Sequence, residues 1–202
     1  MNETELFIQA CTRMCHDLAG VSGIINNGLE MAAESAVGGK IAEKDLEMVR
    51  APSRILADRL KFFRAILGRG GAVADLKTAQ ETAAAYVKTL ENQAASFVVD
   101  FASVPSDPQR LRMALIAVMI AANSLIRGGR ISVQGDSQSV NVTGSGAMIK
   151  LSDESEKLLN GQDGILDPHT AICALLRHFT AMDGGSVKVV KSDESISLFM
   201  YF

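Results

Sequence analysis

At 202 residues, 48% apolar and 21% charged, the chain has the balance of a globular protein and the length for one large core or two small ones. A formal net charge of -3, no tryptophan and 5% aromatic residues exclude a surface built for nucleic acid, base stacking or an anionic membrane. The longest apolar run, Met113 to Ala122, falls short of a membrane span, and the acidic start Met1-Asn2-Glu3-Thr4-Glu5 lacks the features of a signal peptide.

Residues 3–67 read as two long helices. In the first, Phe7, Cys11, Met14, Leu18, Val21, Ile25, Gly28 and Ala32 recur at spacings of four and three; in the second, Leu46, Val49, Ser53, Leu56, Leu60, Phe63 and Leu67 do the same. Such a sustained seam is the pattern of helices packed nearly parallel in a bundle. Val37-Gly38-Gly39-Lys40 predicts a turn, making the pair an antiparallel hairpin. Pro52 removes one backbone hydrogen bond and predicts a kink near Met48. A two-helix hairpin does not enclose its own seam, so a homodimer through residues 3–67, completing a four-helix bundle, is expected. The alternative is that the second half of the chain covers the seam. The three cysteines, Cys11, Cys15 and Cys173, are odd in number and fall in helical patterns, which suggests reduced thiols and a cytoplasmic protein.

Arg69-Gly70-Gly71-Ala72 reads as a linker, dividing the chain into a hairpin at 1–68 and a second domain at 73–202. Thr78 to Glu91 predicts a helix and Ser96 to Ala102 a strand. Asp107 to Arg127 is a helix that Gly128-Gly129 should end. Two strands are expected at Arg130 to Gly135 and Ser139 to Gly144, about Gly135-Asp136-Ser137-Gln138 as turn. A short helix follows at Glu154 to Leu159. Asp167-Pro168 suits the N-cap and first position of a helix to Met182. Strands at Ser186 to Lys191 and Ser195 to Phe202 complete an α/β sandwich of one sheet against a helical layer.

His16 falls two positions past Met14, roughly 200° round the helix from it and so on the face away from the seam. It is expected to point to water. Thr12, Ala19, Gly20 and Gly23 share that face. An interior glycine disfavours a helix by about 1 kcal/mol against alanine, so two on one exposed stripe point to a surface kept bare. A lone exposed histidine is ordinarily just solvated; the stripe sets this one apart. Bare ground lets a second protein bring its own group close, and phosphoryl transfer between side chains is mostly a matter of placing donor and acceptor in line. The neutral imidazole is the nucleophile, and an unperturbed pKa of about 6.5 leaves most of it neutral in a cytoplasm. Asp17 is placed to hold the other ring nitrogen and fix the tautomer. Lys61 and Arg64, on the second helix, are candidates to offset phosphate charge.

Cys15-His16-Asp17-Leu18, followed by Ile25-Asn26-Asn27-Gly28-Leu29-Glu30, resembles the phosphoacceptor helix of the ChpT-type bacterial histidine phosphotransferases, relatives of sensor histidine kinases without kinase activity. On that resemblance His16 takes the phosphoacceptor position and Asp17 the acidic position after it. Thr12, Ala19, Gly20, Gly23, Asn27, Lys61 and Arg64 are then the candidate docking face. Val21 stands where such helices often carry a proline, so a straighter helix is expected there. Ala121-Ala122-Asn123-Ser124-Leu125 with Arg127-Gly128-Gly129-Arg130, and Ala181 to Val187, are similar to parts of the histidine-kinase ATP-binding domain. A kinase then needs an aspartate-glycine motif and a glycine-rich run whose amides reach phosphate. Here the first place reads Val142-Thr143-Gly144-Ser145-Gly146, and the second Leu166-Asp167-Pro168-His169-Thr170-Ala171, with no glycine and a proline that has no amide to donate.

The resemblance implies an α+β chain: a hairpin forming a dimeric four-helix bundle, then an α/β sandwich like a degenerate kinase ATP-binding domain. It implies a phosphorelay in which the receiver domain of a hybrid kinase donates to His16 and a response regulator's receiver accepts. Magnesium would sit on the receivers, and this chain would bind no nucleotide, other cofactor, metal, nucleic acid or membrane. Two other readings are an ATP-dependent histidine kinase core and a non-catalytic dimeric scaffold for response regulators.

Other signals weigh less. Cys11 and Cys15 lie one turn apart, but His16 points off that face, which makes a metal site improbable. Cys15-His16-Asp17 is no triad, because adjacent helical residues diverge. Gly144-Ser145-Gly146 reads as a turn after a strand. Asn123 is expected either buried with a local partner or as an ancestral relic, and His169 and His178 as structural or solvated. Met113, Met119, Met148 and Met182 read as core filling.

Overall fold

The computed structural model describes residues 2–36, 40–68 and 73–202. The turn expected at 37–40 lies outside them except for Lys40, and the linker expected at 69–72 lies outside them altogether. Helix α1 spans Glu3–Glu34 and α2 spans Glu43–Leu67. Asn2 opens α1 by accepting from the Thr4 amide at 3.0 Å, and Glu3 and Glu5 set negative charge against the positive end of the helix dipole. Helix α2 runs unbroken through Pro52. The ring leaves the Met48 carbonyl without its helical donor, and Gly28 of α1 lies against that carbonyl. A Cβ on Gly28 would stand 3.0 Å from Met48 O and 3.3 Å from the Val49 side chain, so glycine lets the two helices close here.

The seam is only partly enclosed. Met14, Val21, Gly28 and Ala32 are buried, but Leu18 and Ile25 are half-buried and Phe7, Cys11, Ser53 and Leu60 are exposed. A neighbouring face, carrying Leu6, Ala10, Phe62, Ala65 and Ile66, enters one continuous core with the rest of the chain. There Phe62 stacks on Tyr86 with ring centroids 3.9 Å apart. The second half therefore covers the base of the hairpin, on a face that the single-stripe reading did not separate from the seam.

Beyond the hairpin come α3 (Leu76–Lys88), β1 (Ser96–Ser103), α4 (Pro108–Ser124), β2 (Gly128–Gly135), β3 (Ser139–Ser145), α5 (Asp153–Leu159), α6 (Ala171–Met182), β4 (Ser186–Lys191) and β5 (Ser195–Tyr201). The sheet order is β1-β2-β3-β5-β4. The α4 crossover makes β1 parallel to β2, and the other pairs are antiparallel. Ile131, Val133, Val140, Val142, Ile196, Leu198 and Met200 alternate inward and are buried. The fold is thus α+β, a helical region followed by a mixed sheet covered by helices. No described helix is long and apolar enough to cross a membrane.

Three expectations are corrected. Helix α4 ends at Ser124, and the glycine pair opens β2 instead of stopping the helix: Gly128 has φ 75° and Gly129 φ 148°. A Cβ on Gly128 would lie 2.1 Å from Ser96 O and one on Gly129 2.1 Å from Ser145 O, so the close approach of β1 and β3 demands both glycines. Helix α6 begins at Ala171; Asp167 still does the capping, from a turn ahead of it. Met113 and Met119 fill the core, but Met148 and Met182 are 45% and 71% exposed, lying at a loop and a helix end outside it.

Candidate phosphoacceptor site

His16 rides mid-way along α1 with its side chain 86% exposed. The helix carries it outward, and Asp17 is the neighbouring side chain its ring faces. Thr12, Ala19, Gly20, Gly23 and Asn27 are exposed on the same helix, and a Cβ on Gly20 or Gly23 would meet nothing within 4 Å. The bare stripe is therefore open space. Thr12 turns its hydroxyl back to donate to Ile8 O at 2.9 Å.

Asp17 is 18% exposed, and its Oδ1 lies 3.6 Å from His16 Nδ1, just beyond hydrogen-bond length. Its other oxygen, Oδ2, accepts from Arg13 Nε at 3.1 Å. Arg13 in turn contacts His169 Nδ1 at 3.3 Å, and since a guanidinium only donates, that ring nitrogen is the acceptor. The Asp17 backbone carbonyl accepts from Arg59 at 2.8 Å. Two arginines thus grip the residue beside the histidine. Arg13 was visible in the sequence as an i, i+4 partner of Asp17; Arg59 comes from another helix and carries no local signal. Lys61 is exposed. Arg64 lines an apolar groove between α1 and α2 with Cys11, Met14, Cys15, Leu18, Leu60, Phe63 and Leu67, about 370 Å³ in volume.

Beneath Arg13 lies a cleft of about 310 Å³ whose lining includes Asn123, Lys150, Ser152, His169 and Cys173. Asn123 is exposed at its mouth, which corrects the expectation of burial: in the last turn of α4, between buried Ala122 and Ser124, it lies on the side of the helix that lines the cleft. Cys173 is buried, and desolvation pushes its thiol up to about 12, leaving it protonated. At the cleft's edge the Asp167 carboxylate accepts from the His169 amide at 2.8 Å and the Thr170 amide at 2.9 Å. Burial raises the Asp167 pKa, but the amide bonds outweigh it and hold it below the usual carboxylate value. Burial also raises the Tyr86 hydroxyl, reinforced by the charge of Asp17. Among the described residues no group of histidines, cysteines and carboxylates is set to hold a metal.

A family profile described as the histidine phosphotransferase C-terminal domain matches residues 76–195. The protein phosphotransferase ChpT of Brucella abortus (strain 2308) is 27% identical over 158 residues, covering 75% of this chain and 72% of that protein. A solved bacterial phosphotransferase superposes with a TM-score of 0.79 at 22% identity, covering 99% of this chain and 97% of the other; the likeness extends through the hairpin as well as the sheet.

Proposed function

Because the chain belongs to the histidine phosphotransferase family, we propose that it performs the histidine step of a phosphorelay on His16, between the aspartate of one receiver domain and that of another. The observation that carries this reading is an imidazole 86% exposed beside glycines with empty space around them. Transfer between two proteins needs donor and acceptor in line and in reach, and a ring that stands clear of its own surface meets that need.

In the forward step the His16 Nε2 lone pair attacks phosphorus, the P–O bond to the donor aspartate breaks, and a carboxylate leaves. Nδ1 keeps its proton and faces Asp17, whose nearer oxygen lies 3.6 Å away. That contact sets the tautomer and stabilises the positive ring of the phosphohistidine. The second transfer reverses these bonds on an acceptor receiver. Donor and acceptor are the receiver domains of a hybrid kinase and of a response regulator, with magnesium held by the receivers.

Taking phosphate from a protein instead of ATP is supported by the segment where a kinase keeps its phosphate-binding amides: the His169 and Thr170 amides are already committed to Asp167, and Pro168 has none. A homodimer is supported by the open seam, where Leu18, Leu60 and Leu67 line a groove with little polar surface. Exposed thiols at Cys11 and Cys15 suit a reducing cytoplasm.

The test is to incubate the chain with a phosphorylated receiver and look for acid-labile, base-stable label. Label on the parent and none on His16→Ala is the expected result; label surviving that substitution sinks the assignment. Labelling from ATP alone would favour the kinase reading, and intact signalling by His16→Ala in cells the scaffold reading.

A further inference from the structure

We propose that Arg59 is a positioning residue for phosphoryl transfer at His16, an inference that rests on His16 being the phosphoacceptor. Arg59 is half-buried on α2 and uses all three guanidinium nitrogens. One donates to the Asp17 carbonyl at 2.8 Å. The other two hold Thr89, Nε to its hydroxyl and Nη2 to its carbonyl, both at 3.2 Å. Thr89 is the C-cap of α3, where the helix dipole favours a cation. Its own hydroxyl donates to Tyr86 O at 2.7 Å, and Tyr86 stacks on Phe62. One planar group therefore ties the α1 backbone, directly after the phosphoacceptor, to the end of α3.

The tie is not needed to satisfy α1. The Asp17 carbonyl lies mid-helix, where the amide four residues on already serves it. What the added bond fixes is the placement of this helical turn against the second half. That matters because the His16 ring has no packing of its own, so its aim is the aim of the backbone beneath it. A docked receiver needs the ring in line with its phosphorus. Displacing reacting groups by about 1 Å slows such a step by roughly a hundredfold. A lysine keeps the charge but lacks the fork that reaches three acceptors in fixed directions.

The experiment uses the full chain with Arg59→Met and Arg59→Lys, and two donors. One is phosphoramidate, a small molecule that approaches without docking and gives its phosphoryl group as its P–N bond breaks and ammonia leaves; the other is an aspartyl-phosphorylated receiver domain that labels the parent chain. The maximal rate from the receiver is expected to fall about tenfold or more in Arg59→Met, with little recovery in Arg59→Lys. Half-saturating receiver concentration and phosphoramidate labelling stay within about twofold of the parent, because neither depends on the in-line geometry of a docked partner. Equal slowing with both donors overturns the proposal, since it shows a general loss of fold or of histidine reactivity. Unchanged transfer from the receiver in both variants overturns it as well. Failure of the parent itself to label on His16 with either donor strikes the phosphoacceptor reading first, and this inference with it.

Discussion

Helices α1 and α4 draw on similar stocks of apolar residues and use them in opposite ways. In α4 every residue from Met113 to Ala122 is buried, so the helix is a central rod with the sheet on one side and helices on the others. In α1 only Leu6, Ala10, Met14, Val21, Gly28 and Ala32 are buried along 32 residues, while Ile24, Leu29 and Met31 are more than half exposed. The second half of the chain encloses its core, with the base of the hairpin as part of the cover. The hairpin packs its base against that half and leaves the rest of its apolar surface, and its histidine, facing outward. Apolar surface left open to this extent is what supports the proposed pairing of the hairpin with a partner outside the chain.

Core truncation should show the contrast most strongly. Leu115→Ala in α4 is expected to destabilise the chain by about 2–5 kcal/mol, through lost transfer energy and a cavity, whereas Ile24→Ala should change stability by less than about 0.5 kcal/mol. Urea melts of both variants check this, and equal effects would break the comparison. Next in size, Leu18→Glu with Leu60→Glu places charge in the α1–α2 groove. If a second copy covers that groove, sedimentation at micromolar concentration shows monomer in the variant and dimer in the parent, because buried unpaired carboxylates are strongly disfavoured at an interface.

How far the sequence could be read follows the same division. Where a periodic pattern met one environment, as in β2 to β5, the expected elements lie within two residues of the observed ones. Where a helix met two environments, periodicity blurred them: Phe7 and Cys11 fit the seam spacing yet are exposed, while Leu6 and Phe62 go into the shared core. The glycine pair at 128–129 looked like a helix stop because the demand for it comes from Ser96 and Ser145, residues distant in sequence. At the site, the exposure of His16 and the open glycine stripe were legible because they depend only on helix angle. The grip of Arg59 on Asp17 was not, since it is a relation between α2, α1 and α3 that no local spacing encodes.

A smaller effect separates folding from titration in the second half. Asp167 caps the turn ahead of α6, and Asp167→Ala should lower stability by about 1 kcal/mol, a fall in Tm of about 2–4 °C for a chain this long. The sign with pH follows from its lowered pKa. The contribution is fully present above the ordinary carboxylate pKa and disappears as pH falls through the lower folded value. The gap between parent and variant should therefore be constant from neutral pH to about pH 5 and close only in stronger acid. A gap that widens on acidification would show that Asp167 is not the charged cap.

The smallest change is also the one that best tells a bare surface from a careless one. Gly20 and Gly23 sit mid-helix with nothing within 4 Å of an added Cβ, whereas one on Gly28 meets Met48 O at 3.0 Å. Gly20→Ala and Gly23→Ala should each stabilise the chain by up to about 1 kcal/mol, because alanine restricts the unfolded chain and suits a helix. Gly28→Ala should destabilise it despite the same propensity gain, since backbone stands in the way. Stability left on the table at two adjacent exposed sites calls for a reason outside the fold. If that reason is an approaching receiver, bulk and not stability decides the outcome: transfer from a phosphorylated receiver should survive alanine at Gly20 and fall steeply with Gly20→Leu, while phosphoramidate labelling of His16 is unaffected by either. Transfer indifferent to leucine there would mean that partners reach the histidine from another side.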